Sequence, residues 1–248
     1  MKKGKSKKLD PLLEILLKST KDSMVSTSRM GYIKQDTYQE KIDTLDLWAN
    51  VLQGYIACQQ LFPELVADSF FTVFFSFSGL YKYANATLRS SLETALRIAY
   101  FAFHPVEYQW WKEEKNWQLD TKNVWGKGYE YFKRIEKIHE VEEKLSKANL
   151  PGLFDGQGYC IKRIYSELSK SVHTSYQNLY SGKNKYLPAF DSSAFEGWSK
   201  LYEKVMGRVN LLFFCVFNIE YTKMNPAERS KILDIGIAST KTKEILEL

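Results

Sequence analysis

The chain has 248 residues, with 35 Lys and Arg against 29 Asp and Glu and a formal net charge of +6. Hydrophobic residues make up 44% and aromatic residues 15%, against 13 glycines and 6 prolines. That balance excludes an intrinsically disordered, collagen-like or linker-dominated chain, and the length suffices for a substantial core.

Lys2, Lys3, Lys5, Lys7 and Lys8 lie in the first eight residues, and removing these five charges from +6 leaves +1 for the rest. Residues 1–8 therefore read as a solvated basic tail, and residues 9–248 as a single near-neutral helical domain. The sharper reading of the tail is an electrostatic arm for nucleic acid or an anionic surface. The apolar stretch at 9–17 contains Asp10 and Glu14, which a secretory signal would not place there.

Residues 37–61 show a 3.6-residue period through Ile42, Leu45, Trp48, Leu52 and Ile56, with a break expected at Phe62-Pro63-Glu64. Residues 67–83 are almost continuously apolar. Residues 70–77 alone fit a strand, but no alternating partner lies nearby, so a buried helix is expected. Residues 85–103 make the clearest helix, with a stripe of Leu88, Leu92, Ala95, Leu96 and Ala99. His104-Pro105 marks its end, because a residue before proline avoids the helical region.

Residues 106–122 read as a shorter helix, or a helix plus loop, and Lys127-Gly128 as a break. Residues 129–147 read as an exposed amphipathic helix, 149–158 as a loop, 159–176 as a helix, 181–193 as a second loop and 194–223 as a further helix. Asn225-Pro226 with Glu228 has the form of an N-cap, a first-position proline and a capping-box acid. The fold class is therefore all-α, a multi-helix bundle.

No phosphate loop, dinucleotide fingerprint, zinc motif or calcium loop occurs, so no cofactor and no metal is expected. Glu136-x-x-His139 is a single copy of a pattern that di-iron bundles use in pairs with two further glutamates. Cys58, Cys160 and Cys215 form no disulfide framework. The most apolar windows, 70–80 and 205–219, are too short to span a bilayer. A cytoplasmic protein with no membrane partner is expected.

Two segments carry polar residues in helix register. In residues 161–173, Ile161, Ile164, Tyr165, Leu168 and Val172 form an apolar stripe, and Ser166, Ser169, Lys170 and His173 fall on an adjacent face. A histidine beside hydroxyls and an ammonium has the chemistry of a general acid or base, or of a boundary residue satisfied by a hydroxyl. Asn85, Arg89, Glu93 and Arg97 follow each other at i, i+4, with Arg89 and Glu93 placed to pair. Such a pair is either a bridge between helices or an anion site. If the two helices pack together, Arg89, Glu93 and His173 face one cleft.

The pairing of Leu-Arg-Ser-Ser-Leu-Glu-Thr-Ala-Leu-Arg-Ile-Ala-Tyr-Phe (88–101) with Tyr-Ser-Glu-Leu-Ser-Lys-Ser-Val-His (165–173) resembles bacterial helical proteins of phage-defence and mobile-element systems, related to HEPN domains. The resemblance covers roughly residues 45–220. It implies a HEPN-like helical bundle, association as a homodimer or with a partner protein, and contact with RNA. Many HEPN domains cut RNA without metal through an Arg-x4–6-His motif, whose histidine maps onto His173. No arginine stands four to six residues before His173; Arg163 is ten residues back. Two functions follow, with a nucleotide- or small-ligand-binding sensor using the same cleft as a third. One is a binding module for a partner or nucleic acid. The other is a metal-independent ribonuclease in which His173 moves protons, Arg89 and Lys170 stabilise phosphate charge and Glu93 orients Arg89. The missing arginine favours the module.

Overall fold

A computed structural model describes residues 11–29, 35–113, 128–154, 160–172, 188–237 and 240–246. Among these residues the regular structure is entirely helical. The elements are α1 (Pro11–Arg29), α2 (Gln35–Val51), α3 (Ile56–Phe77), α4 (Tyr81–Phe101), α5 (Pro105–Lys112), α6 (Tyr129–Phe132), α7 (Glu136–Lys147), α8 (Ile161–Val172), α9 (Ser192–Val216), α10 (Asn218–Lys223), α11 (Pro226–Lys231), a π-helical turn (Ile232–Ile237) and α12 (Thr240–Leu246).

Helix α4 is the centre. It forms a hairpin with α3 and packs against α8 and α9 on its other sides. Its alternation of Leu88, Leu92 and Leu96 with Ala84, Ala95 and Ala99, all at most 1% exposed, lets three neighbours approach closely. The turn into α4 needs Gly79. Its φ is +74°, and a Cβ there would stand 2.6 Å from the Ala189 carbonyl oxygen and from Ser23 Oγ.

Around α4 the core is built on large aromatics whose polar ends are satisfied. Trp48 Nε1 donates to Asn210 Oδ1 at 3.0 Å, and Trp198 Nε1 donates to Thr72 Oγ1 at 3.0 Å. Gly236 lets the π-helical turn lie on Asn210, where a Cβ would be 2.7 Å from its Cγ. Lys41, 2% exposed, ties α2 to that turn through the Ile235 carbonyl at 2.9 Å and reaches Glu203 at 2.8 Å.

The all-α reading holds, but several boundaries move. The expected helix over 37–61 breaks at Leu52–Tyr55, and Pro63 lies inside α3. The proline sits on the exposed side, where the carbonyl it leaves without an amide partner meets water, while Cys58, Leu61, Phe62 and Leu65 bury the opposite side. Nor is α3 buried all round: Phe70, Phe71 and Phe74 are 54%, 47% and 41% exposed. The expected helix over 129–147 divides at Lys133–Ile135, and that over 194–223 divides at Phe217. His104-Pro105 ends α4, with Pro105 opening α5 directly. The capping box forms as expected: the Asn225 side chain accepts from the Glu228 amide, and Glu228 accepts from the Asn225 amide. No helix among the described residues is long and apolar enough to cross a membrane.

Candidate functional site

The packing of α4 on α8 creates a compact polar cluster. Arg89 and Glu93 are one turn apart on α4, and Arg89 Nε donates to Glu93 Oε1 at 3.0 Å. Tyr165 comes from α8. Its ring lies under the Arg89 guanidinium, 4.8 Å from the central carbon, and its hydroxyl accepts from Arg89 Nη2 while donating to Glu93 Oε1 at 3.0 Å. One turn further, Arg97 Nη2 donates to Glu93 Oε2 at 3.5 Å, and the Arg97 guanidinium stands 5.8 Å from the Trp111 ring.

The side chains of Arg89, Glu93 and Arg97 are 22%, 17% and 21% exposed. Among the described residues two guanidinium groups therefore share one carboxylate, a surplus of one positive charge at the edge of the α4–α8 seam. The two arginines differ. Arg89 has a short bond to Glu93 and a stacked tyrosine, whereas Arg97 has one long bond and a buried Nε with no hydrogen-bond partner. Asn85, one turn before Arg89, is 6% exposed, and its Oδ1 also lacks a partner.

Of the sequence-predicted site residues, the structure brings Arg89 and Glu93 together. Lys170 is exposed on α8, five residues beyond Tyr165 and about 140° further round the helix, with no bond to the cluster among the described residues. Ser169 Oγ turns back to the Tyr165 carbonyl at 2.7 Å. His173 lies outside the described residues. Tyr165 was read only as part of an apolar stripe. Its hydroxyl is the link between the two polar segments, and no signal in the local sequence reports a contact made across 72 residues.

A second cluster closes the junction of α4 and α5. The His104 ring stacks on Tyr100, centroids 4.0 Å apart, and stands edge-on to Tyr131 at 4.5 Å. His104 Nδ1 is 2.7 Å from the Tyr100 carbonyl, which can only accept, so Nδ1 carries a proton. The Tyr100 hydroxyl donates to Glu107. Burial and then Glu107 raise the Tyr100 phenol, and burial pushes Tyr131 up to about 12. This is a lock on the helix junction, consistent with the helix-end role expected for His104.

Glu136 and His139 line an open cleft of about 1000 Å³ beside α7. Three of its four glutamates are engaged. Glu140 pairs with Lys137 and Lys144, Glu143 pairs with Lys147, and Glu142 accepts from the Phe154 amide. The Lys137 and Lys144 hydrogen bonds hold the Glu140 carboxyl below its usual range. Among the described residues no group of three His, Cys, Asp or Glu is arranged to hold a metal ion. No family model, curated protein or solved structure matches the chain.

Proposed function

We propose that this chain is a HEPN-like helical module of a bacterial defence or mobile-element system, and that it acts by binding RNA rather than by cutting it. The family part rests on the resemblance of 88–101 and 165–173. The choice of binding over catalysis rests on one observation: Arg89 is already held, through Nε by Glu93 and through Nη2 by Tyr165. A catalytic cation must be aimed at charge that develops during reaction. A cation neutralised and stacked in the resting state is a positioned part of a surface. The surplus charge shared with Arg97, with exposed Lys170 further along α8, suits the phosphates of an RNA backbone.

The test is fluorescence anisotropy with a labelled single-stranded RNA in EDTA over a salt series, each sample then run on a denaturing gel. Binding is expected to weaken with salt. The Arg89→Gln/Arg97→Gln protein should lose roughly 0.7 to 1.4 units of the log–log salt slope, as the loss of one or two single-strand phosphate contacts requires. Absence of binding by the folded wild type overturns the proposal. Cleavage that His173→Ala abolishes at an unchanged melting temperature replaces it with the metal-independent ribonuclease.

A further inference from the structure

Exposed large apolar side chains concentrate on two elements that nothing in the α4–α8 seam uses. On α3 they form a stripe at helix spacing: Phe70, Phe71 and Phe74, joined by Tyr83 of α4 at 58% exposure. Phe71 and Phe75 stack at 6.1 Å, and Phe75 meets Tyr83 at 6.1 Å, so the row is continuous. The rest of this stripe is Ala67, Glu64 and Pro63, and α3 contains no lysine or arginine to guard it.

The second element is α1. Its later turns are anchored by Ser23, whose hydroxyl donates to the Phe77 carbonyl at 3.3 Å, and by Ser19, which donates to the Pro188 carbonyl, while Thr27 donates to the Ser23 carbonyl at 2.8 Å with its Oγ1 3.4 Å from the same Phe77 oxygen. In its first two turns Leu13 and Leu17, one turn apart on one side, are 45% and 56% exposed, and Ile15, about 200° round the helix from each, is 51% exposed. Apolar side chains exposed at one-turn spacing form the kind of stripe that a helix buries against a partner. The anchor at Phe77 sets α1 near the end of α3 that carries the phenylalanines.

We infer that two copies of this chain associate by reciprocal helix exchange, the first turns of α1 of each copy lying on the phenylalanine row of α3 of the other. Three observations select a second copy. The first is area. At about 200 Å² for a large side chain, Phe70, Phe71, Phe74 and Tyr83 with Leu13 and Leu17 expose roughly 600 Å². That is about three quarters of the ~800 Å² each partner gives to a standard interface.

The second is spacing. Leu13 and Leu17 are four residues apart, as are Phe70 and Phe74, so an antiparallel α1 sets Leu13 on Phe74 and Leu17 on Phe70 in one register. The third is charge. In that register the exposed Lys21 of α1 comes toward the exposed Glu64 of α3. A two-fold axis makes the contact twice and closes it, which prevents open-ended growth. An anionic bilayer fits less well, because Glu14, Glu64 and Asp68 lie in or beside the two apolar surfaces.

The test is sedimentation of the full chain from ~1 to ~100 µM with paired variants. The wild type is expected to be dimeric. Leu13→Ser/Leu17→Ser and Phe71→Ser/Phe74→Ser should each sediment as monomers with melting temperatures within a few degrees of wild type. Crosslinking supplies a readout that does not depend on those variants folding. Leu17→Cys mixed with Phe70→Cys should give an intermolecular disulfide that neither protein forms alone, since Cys58, Cys160 and Cys215 are buried. A monomeric wild type, a dimer untouched by both variant pairs, or a disulfide formed by Phe70→Cys alone overturns helix exchange. So does flotation of a monomeric wild type with phosphatidylglycerol vesicles, which would make a lipid surface the occupant. RNA binding is measured separately, and its failure leaves this result standing.

Discussion

Replacing Glu93 by Gln removes one charge and almost no volume from the α4–α8 seam. The carboxylate accepts from Arg89 at 3.0 Å and from Tyr165 at 3.0 Å, and holds Arg97 at 3.5 Å. Hydrogen bonds to a charged group contribute about 1.5–3 kcal/mol when buried, and exposed ion pairs about 0.2–1 kcal/mol. Glu93 is 17% exposed, nearer the buried limit, and its loss strands two guanidinium groups on one face. Glu93→Gln is therefore expected to lower stability by about 2 kcal/mol. Tyr165→Phe removes one hydroxyl but leaves the direct Arg89–Glu93 bond, so about 1 kcal/mol is expected.

The assay is urea unfolding of the two single variants and the double variant at neutral pH. A change in midpoint at constant slope measures stability alone. The two residues share Arg89, so the double variant should be less destabilised than the sum of the singles, by at least about 0.5 kcal/mol. In 1 M salt the effects should shrink without vanishing, because groups at this depth are only partly screened. Less than about 0.5 kcal/mol for Glu93→Gln, or strict additivity, would refute the reasoning. The apolar contacts of Leu88, Leu92, Ile164 and Leu168 would then hold the seam alone.

Gly79→Ala should destabilise by about 2 kcal/mol or more, because the turn is left-handed and the new methyl meets the Ala189 backbone; a loss below 0.5 kcal/mol in urea would contradict that geometry. Burial raises the Asp68 carboxyl, against a hydrogen bond from Ser90 that lowers it. The folded state then holds that proton more tightly than the unfolded state, so this contribution to stability is lost as pH rises through the folded-state value. Asp68→Asn removes that loss, so stability should climb more steeply from acid to neutral pH and be higher at pH 7, and an unaltered curve would count against it. Burial, then Glu220, pushes the Cys58 thiol up to about 12, so iodoacetamide at pH 8 should label it only after unfolding; rapid native labelling would contradict its placement.

The class of fold was legible because α4 repeats its apolar residues at 3.6 spacing and because Asn225-Pro226 with Glu228 needs only local geometry. The helix breaks were not. Pro63 looks like a terminator and Gly54 does not, yet the chain breaks at Gly54. The difference is that Pro63 faces solvent on a helix whose other side is buried, a tertiary fact. The 67–83 segment shows the same limit from the other direction. Hydrophobicity says that Phe70, Phe71 and Phe74 favour burial, but not whether this chain alone provides it. The Arg89–Glu93 pair was legible because i, i+4 contacts are encoded in spacing. The Tyr165 hydroxyl was hidden because its partner depends on how α8 docks.

The two arginines on Glu93 are not equivalent, and the difference separates structural charge from the charge that the proposed RNA binding would use. Arg89 is stacked on Tyr165 and bonded through two nitrogens, so an arriving phosphate would have to break a network that joins two helices. Arg97 has a single 3.5 Å bond, a buried Nε with no partner and 21% exposure, so it can turn to an anion at little loss. Arg89→Gln is therefore expected to lower the urea midpoint more than Arg97→Gln does. Arg97→Gln should weaken RNA binding severalfold, with its salt slope reduced by about 0.7. Both quantities come from the same two proteins, by urea titration and by anisotropy. If Arg97→Gln lowers stability as much as Arg89→Gln and leaves RNA affinity unchanged, the surplus charge is part of the scaffold and the RNA surface lies elsewhere on the chain.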